Sequence, residues 1–118
     1  MEISWNNKEP IYIQLRDRLA ELIMDGVLTE GDALPSVRQI SSEQRINPIT
    51  VSKALQILVD EDLVEKKRGL GIYVISGAKD RLSKQERAKF LDEEWPQIAQ
   101  RIERLGLEID QLPGRKKN

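Results

Sequence analysis

Residues 34–75 read LPSVRQISSEQRINPITVSKALQILVDEDLVEKKRGLGIYVI, and this stretch decides the fold. Ser36 follows Pro35 and stands three positions before Gln39, the spacing of a capping box, so a short helix is expected to start near Val37. Val37 and Ile40 would be its buried stripe. Asn47-Pro48 is a second start signal, an N-cap side chain followed by a Pro at N1, where the missing N–H is not needed. Six residues, 41–46, separate Ile40 from that start. Two helices this close resemble a helix-turn-helix.

The second helix, expected from 48 to about 61, has two faces. Val51, Ala54, Leu55 and Leu58 fall at i, i+3, i+4 and i+7 and form a core stripe. Ile49, Thr50, Ser52, Lys53 and Gln56 lie around the other side. Small hydroxyls and one Lys near a helix N-terminus suit a surface that approaches phosphates and base edges. Taken alone, the same residues also fit a solvated polar face. Next come Leu63-Val64-Glu65-Lys66, a turn of Lys67-Arg68-Gly69-Leu70-Gly71, and Ile72-Tyr73-Val74-Ile75. Two short β-rich runs around a glycine-containing loop make a hairpin. Three cations lead into its tip, where Gly69 and Gly71 leave the backbone bare. An ordinary charged turn has the same look. A helix-turn-helix followed directly by a basic, glycine-tipped hairpin is more specific than either part, and it looks like a winged helix.

At LPSVRQI, NPITVSKAL and LVEKKRGLGIYV the chain resembles the GntR family of bacterial transcription regulators. PIYIQLRDRLAELIMDGVLTEGDALPS resembles the family's first helix and exit loop, so the likeness covers about the first two-thirds of the chain. The Asn-Pro pair, the short C-terminal part and the length resemble the small YtrA-like subfamily. The resemblance implies that Ser36 and Arg38 start the helix that crosses the DNA backbone, with Arg38 on phosphate or a guanine edge. It places Asn47, Thr50, Ser52 and Lys53 in the major groove, and Lys67, Arg68 and Gly69 at the wing tip, with Gly69 near the minor groove. Two positions depart from the family pattern. Its turn usually carries an apolar residue and then Gly, where this chain has Gln44 and Arg45. A non-Gly residue in a left-handed conformation costs roughly 1 kcal/mol. Either the turn is shaped differently, or Arg45 tolerates the strain because it contacts phosphate. Ile49 stands where the subfamily often has a polar residue. It either meets thymine methyls or packs on the preceding helix.

The whole chain sets bounds. Its 118 residues suffice for one small domain plus an extension. It has no cysteine, so neither disulfides nor thiol chemistry, and no histidine, the commonest general base and metal ligand. No catalytic constellation, metal site or cofactor site is visible. No apolar run approaches 18 residues and no signal-peptide pattern opens the chain, so a soluble, cytoplasmic protein with no membrane association is expected. Net charge is −1, and residues 1–77 hold nine Lys and Arg against twelve Asp and Glu, a balance of −3. The distribution says more. Arg38, Arg45 and Lys53 mark the two-helix unit, opposed within 35–56 only by Glu43, while Lys66, Lys67 and Arg68 mark the hairpin. The expectation is a small basic footprint on an acidic body.

Around this stretch, residues 1–9 either fray or pack through Trp5. Pro10 is expected at N1 of a first helix with an Ile11, Leu15, Leu19, Leu22, Ile23 stripe, ended by Gly26. Tyr12 either packs or reaches a phosphate. Beyond Ser76-Gly77, Ser83-Lys84-Gln85-Glu86 reads as another capping box. Leu91, Trp95, Ile98, Ile102 and Leu105 then recur at steps of 4, 3, 4 and 3, a coiled-coil-like seam. Pro96 should kink or split that helix and Gly106 should end it. Leu107, Ile109 and Leu112 fit a short return turn, and the basic tail 114–118 is expected to be disordered.

About 40 residues cannot bury such a seam alone. It either docks on its own domain or pairs with a second chain, and the family resemblance favours the second. The architecture expected is therefore mostly α with a small β-hairpin (α+β): a winged helix-turn-helix over 9–77 and a helical dimerisation region over 78–118. The function expected is a homodimeric regulator, a repressor, on an inverted-repeat operator in double-stranded DNA. The competing readings are a winged helix that binds protein instead of DNA, and an enzyme. A small-molecule effector has no visible pocket; the seam near Trp95 is one place for it.

Overall fold

Helix α1 (Ile11–Met24) buries Leu15, Leu19 and Ile23, one residue per turn on a single face. Burying side chains of this size contributes about 1.5–3 kcal/mol each. Leu22 is half-buried and Ile11 lies at the exposed edge of the stripe. Pro10 stands one position earlier than expected, at the N-cap and not N1, because its ψ of 146° is still extended. The helix ends in a Schellman motif. Gly26, at φ 79°, donates to Ile23 O (3.2 Å) and Val27 donates to Leu22 O (2.9 Å).

The helix-turn-helix follows. Helix α2 (Val37–Gln44) is capped by Ser36, whose Oγ accepts from Gln39 N at 3.0 Å. The reciprocal half of the capping box is replaced, since the Gln39 amide donates to Glu43 instead (3.3 Å). Ile40 is fully buried and Val37 partly so. Helix α3 (Pro48–Asp60) starts with Pro48 after Asn47, whose Oδ1 accepts from Ile49 N at 2.8 Å. Val51, Ala54, Leu55 and Leu58 are all buried where α3 packs on α1 and α2. Its C-terminus repeats the Schellman bonds, with Asp62 rather than Gly at φ 57° and Leu63 N donating to Leu58 O (3.0 Å).

Strands β1 (Val64–Lys67) and β2 (Gly71–Val74) pair antiparallel from Val64↔Val74 to Lys67↔Gly71. The turn is thus shorter than expected, Arg68-Gly69-Leu70, with Leu70 N donating to Lys67 O (2.8 Å). The loop after α1 lies along the free edge of β2. Leu34 N donates to Ile72 O (2.8 Å), Val74 N to Asp32 O (2.9 Å), and Gly31 N to Val74 O (2.9 Å). The segment that delivers Pro35-Ser36 to α2 is therefore anchored on the hairpin. Within it, the Thr29 amide and then its hydroxyl donate to Asp32 (2.9 Å each), which holds that carboxyl below the usual carboxylate range.

The N-terminal segment packs rather than frays. Met1, Ile3 and Trp5 lie against the core, and Gln14 ties the segment to α1 by accepting from Asn6 N and donating to Asn6 O and Glu9 O. Gln44, at the end of α2, donates to Met1 O. Arg16, in the middle of α1, grips Glu61, the residue that ends α3, bidentately, both N···O distances being 2.7 Å. Burial alone would lower the Arg16 pKa; the hydrogen bonds and charge of Glu61, then Asp17, outweigh it and hold it above its ordinary value. Glu61→Ala leaves a guanidinium only 11% exposed with a weaker set of partners. It is expected to cost about 2 kcal/mol in urea denaturation, with an unchanged m-value.

The computed structural model describes residues 1–114 and divides into two compact units, Met1–Ser83 and the part from Lys84 onward. Helix α4 (Ala78–Lys89) starts five residues before the expected capping box at Ser83. The reason is tertiary: Ala78 and Leu82, one turn apart, are buried in the core of the first unit. The Glu30 carboxylate accepts from Gly77 N at the same point. A π-helical turn over Phe90–Glu94 then precedes α5 (Trp95–Arg104), which holds Pro96 in its first turn. Pro96 has no N–H to donate and its ring crowds the preceding turn, so the helix widens ahead of it. Gly106, at φ 70°, ends α5 with a third Schellman pair, and a short 3-10 turn follows at Ile109–Gln111. Residues 115–118 of the basic tail lie outside the described residues. The fold class is the one expected, mostly helical with one small hairpin.

Candidate nucleic-acid interface

Two faces of α3 are complementary in kind. Opposite the buried stripe, Ile49, Ser52, Lys53 and Gln56 recur at i, i+3, i+4 and i+7, and all four are exposed. Thr50 is half-buried beside them. Ile49 does not pack on α2: it is 67% exposed. Gln56 has both ends of its amide engaged, donating to Asp60 (2.8 Å) and accepting from Lys66 Nζ (3.0 Å), which links α3 to β1. Lys53 Nζ lies 5.6 Å from the centroid of the Tyr12 ring, and Tyr12 itself is half-buried against the core, in line with its packing reading.

The two N-caps are already occupied. Ser36 Oγ and Asn47 Oδ1 each accept a backbone N–H, so both set helix starts before they touch anything else. Arg38, in the first turn of α2, is exposed and has no ion-pair or hydrogen-bond partner among the described residues. Arg45 holds the turn in the left-handed region, φ 54° and ψ 48°, so the turn keeps the shape that Gly would adopt. Ser41 Oγ donates to Ile46 O (2.6 Å) across it, which helps offset the strain. Arg45→Gly is expected to leave stability the same or raise it by up to ~1 kcal/mol, while weakening affinity for duplex DNA. Paired thermal melts and binding titrations check this; a destabilised variant would show that the Arg45 side chain supports the fold.

At the hairpin, Lys67 Nζ lies 4.8 Å from the Tyr73 ring centroid and 3.9 Å from Glu65 Oε1. Tyr73 OH donates to Leu70 O (3.1 Å) and braces the tip. Arg68 and Gly69 form that tip, with Arg68 exposed and Gly69 at φ 76°. A Cβ on Gly69 would meet nothing within 4 Å, so within this chain Gly69 is required by backbone conformation and not by packing. Arginines elsewhere in the first unit are paired: Arg16 with Glu61 and Asp17, Arg18 with Glu21, Arg81 with Asp62. Arg38, Arg45 and Arg68 share no such pairing among the described residues. Three free guanidinium groups on α2, the turn and the hairpin tip suit phosphates and guanine edges.

In the second unit, the seam residues Leu91, Trp95, Ile98 and Leu105 remain exposed and Ile102 is half-buried. Phe90, not singled out in the sequence, joins them, with its ring centroid 6.4 Å from that of Trp95. Among the described residues there is no metal-binding group of acidic, His or Cys side chains, and no helix long and apolar enough to cross a membrane.

Comparison with known proteins places this geometry. The sequence profile of the gntR family, bacterial regulatory proteins, matches residues 11–74. The chain is 33% identical over 112 residues to the HTH-type transcriptional repressor YtrA of Bacillus subtilis, covering 95% of this chain and 85% of that one. It is similar to the solved structure of YtrA from Sulfolobus acidocaldarius, a GntR-family transcription factor, at 31% identity and a TM-score of 0.60, covering 93% of this chain and 99% of that one. A transcriptional regulator from Oenococcus oeni gives a TM-score of 0.73 at 25% identity, covering 93% and 90% of the two chains.

Proposed function

The chain belongs to the GntR family of bacterial transcription regulators, DNA-binding proteins and not enzymes, and from that premise we propose that it is a homodimeric repressor of an inverted-repeat operator. The observation that carries this reading is that Arg38 on α2, Arg45 in the turn and Arg68 at the hairpin tip have no acidic partner among the described residues, together with the exposed, mostly polar face of α3. In the proposed complex, α3 enters the major groove with Thr50, Ser52 and Lys53 toward the bases, Asn47 anchoring its start. Arg38 bridges phosphate and a guanine edge, and Ser36 fixes the helix that carries it. Arg45 meets a phosphate. The hairpin brings Lys67, Arg68 and Gly69 to the adjacent minor groove. The Gln56–Lys66 bond sets the hairpin relative to α3, so both elements reach the duplex as one surface.

Dimerisation is assigned to Leu91, Trp95, Ile98, Ile102 and Leu105. Its support is that most of these apolar groups remain exposed in the single chain, where burying each would be worth about 1.5–3 kcal/mol. Repression is supported by the likeness to a relative named as a repressor, and a cytoplasmic location by the absence of a membrane-crossing helix among the described residues. The reading as a protein-interaction module loses one of its supports, because the turn at Arg45 keeps the left-handed shape despite lacking Gly. Enrichment from a random duplex library tests the proposal. The expected product is an inverted repeat with half-sites about one helical turn apart, bound by two copies of the chain. A single half-site bound by one copy would overturn the dimeric reading.

A further inference from the structure

Ile49 is the one large apolar side chain on the outward face of α3. It is the second residue of the helix, its backbone N–H is fixed to Asn47 Oδ1 at 2.8 Å, and its side chain is 67% exposed. Nothing in the fold of the first unit requires it there, since the core stripe of α3 lies on the opposite face. Resting on the DNA-binding reading above, we infer that Ile49 reads a thymine through its C5-methyl group, once in each half-site.

The chemistry of the groove leaves little choice. Ile has neither donor nor acceptor. Pressed against guanine N7 and O6, adenine N6 or cytosine N4, it would strip water from those groups and return nothing. The thymine methyl is the apolar feature the major groove offers. In a helix-turn-helix the N-terminal residues of the second helix are those that reach base edges, and Ile49 is among them. Its β-branched side chain is stiff at χ1, so little rotamer freedom is lost on contact. Ser52 and Lys53, one turn further on, flank it with small and flexible groups that do not bar a base edge. Asn47, just before α3, has its Oδ1 engaged as the helix cap, which leaves Ile49 as the first large exposed side chain that α3 turns toward a base edge.

The test uses the full chain and fluorescein-labelled duplexes of the enriched operator, with each thymine replaced in turn by deoxyuridine, which removes only the methyl group. One thymine per half-site is expected to be sensitive. Affinity should fall about fourfold for one replacement and about fifteenfold when both symmetry-related thymines are replaced, the factors that burying one methyl-sized group at each site carries. In Ile49→Ala the same replacements are expected to change affinity by less than about 1.5-fold, while the thermal midpoint stays that of the wild type because the side chain is exposed. No sensitive thymine in the wild type, or an equal deoxyuridine penalty in both proteins, would overturn the inference while leaving DNA binding intact. Failure to enrich any sequence would instead overturn the DNA-binding reading, and this inference with it.

Discussion

Arg38→Ala is expected to abolish tight operator binding while leaving the fold untouched. Arg38 is exposed and has no ion-pair or hydrogen-bond partner among the described residues, so its loss should move stability by no more than ~0.5 kcal/mol. On the operator the outcome differs. A bidentate Arg–guanine pair is worth about 1–3 kcal/mol, and a symmetric dimer makes it twice. The expected loss is therefore about 2–6 kcal/mol, or at least ~30-fold in affinity, with relaxed preference at one base pair per half-site. A phosphate-only role gives a different pattern: weaker binding to all sequences alike, and a salt slope reduced by about 1 per copy. Fluorescence anisotropy on operator and random duplex distinguishes the two. Unchanged affinity for both would remove Arg38 from the interface.

Ile98→Asp is expected to have the second large effect, through assembly. Ile98 is exposed in the single chain, so the monomer should fold as before. In a seam between two copies, each substitution withdraws about 1.5–3 kcal/mol of apolar burial and places a carboxylate where water is excluded. Two copies bring the cost to roughly 4 kcal/mol or more, a dissociation constant raised about a thousandfold. Operator affinity should fall with it, because each half-site must then be bound separately. Sedimentation equilibrium of wild type and variant checks this directly. A wild-type chain that stays monomeric at tens of micromolar would sink the seam as a dimer contact.

Much of the fold was legible because local chemistry and tertiary packing agree along 34–75. Ser36 and Asn47-Pro48 start their helices as read, and the Val51, Ala54, Leu55, Leu58 stripe is the buried face of α3. The misreadings sit where the two levels part. The Ser83 box is a sound local signal, yet Ala78 and Leu82 find places in the core and pull the helix start back to Ala78. Pro10 differs by one position because φ alone does not separate N-cap from N1; ψ does. The π-helical turn before Pro96 is one of several ways to absorb a missing N–H, and spacing does not choose among them.

The candidate site shows the same division. Which residues could line α3 followed from helical periodicity. Which of their polar atoms are already engaged did not. Asn47 Oδ1 and Ser36 Oγ serve as caps, and Gln56 is held between Asp60 and Lys66. The Lys66 contact depends on the register of the hairpin against α3, a relation ten residues apart in sequence. Ile49 had two readings in the sequence, and its exposure excludes packing on α2. The negative balance of residues 1–77 left a small basic footprint as the expectation, and the ion pairs show which arginines are free to form it. Arg16, Arg18 and Arg81 bind acids, and among the described residues the arginines of the first unit without an acidic partner are those of α2, the turn and the hairpin tip.

The salt dependence of operator affinity tests the central claim most directly. If α2, α3 and the hairpin of both copies lie on duplex DNA, roughly 6–10 phosphates are neutralised, and log K should fall with log[salt] at a slope of about −5 to −9. Affinity would then drop by about 10³–10⁵ between 50 and 200 mM salt. A slope near zero, with equal weak binding to operator and random duplex, would contradict the account and mark this winged helix as a surface for protein partners.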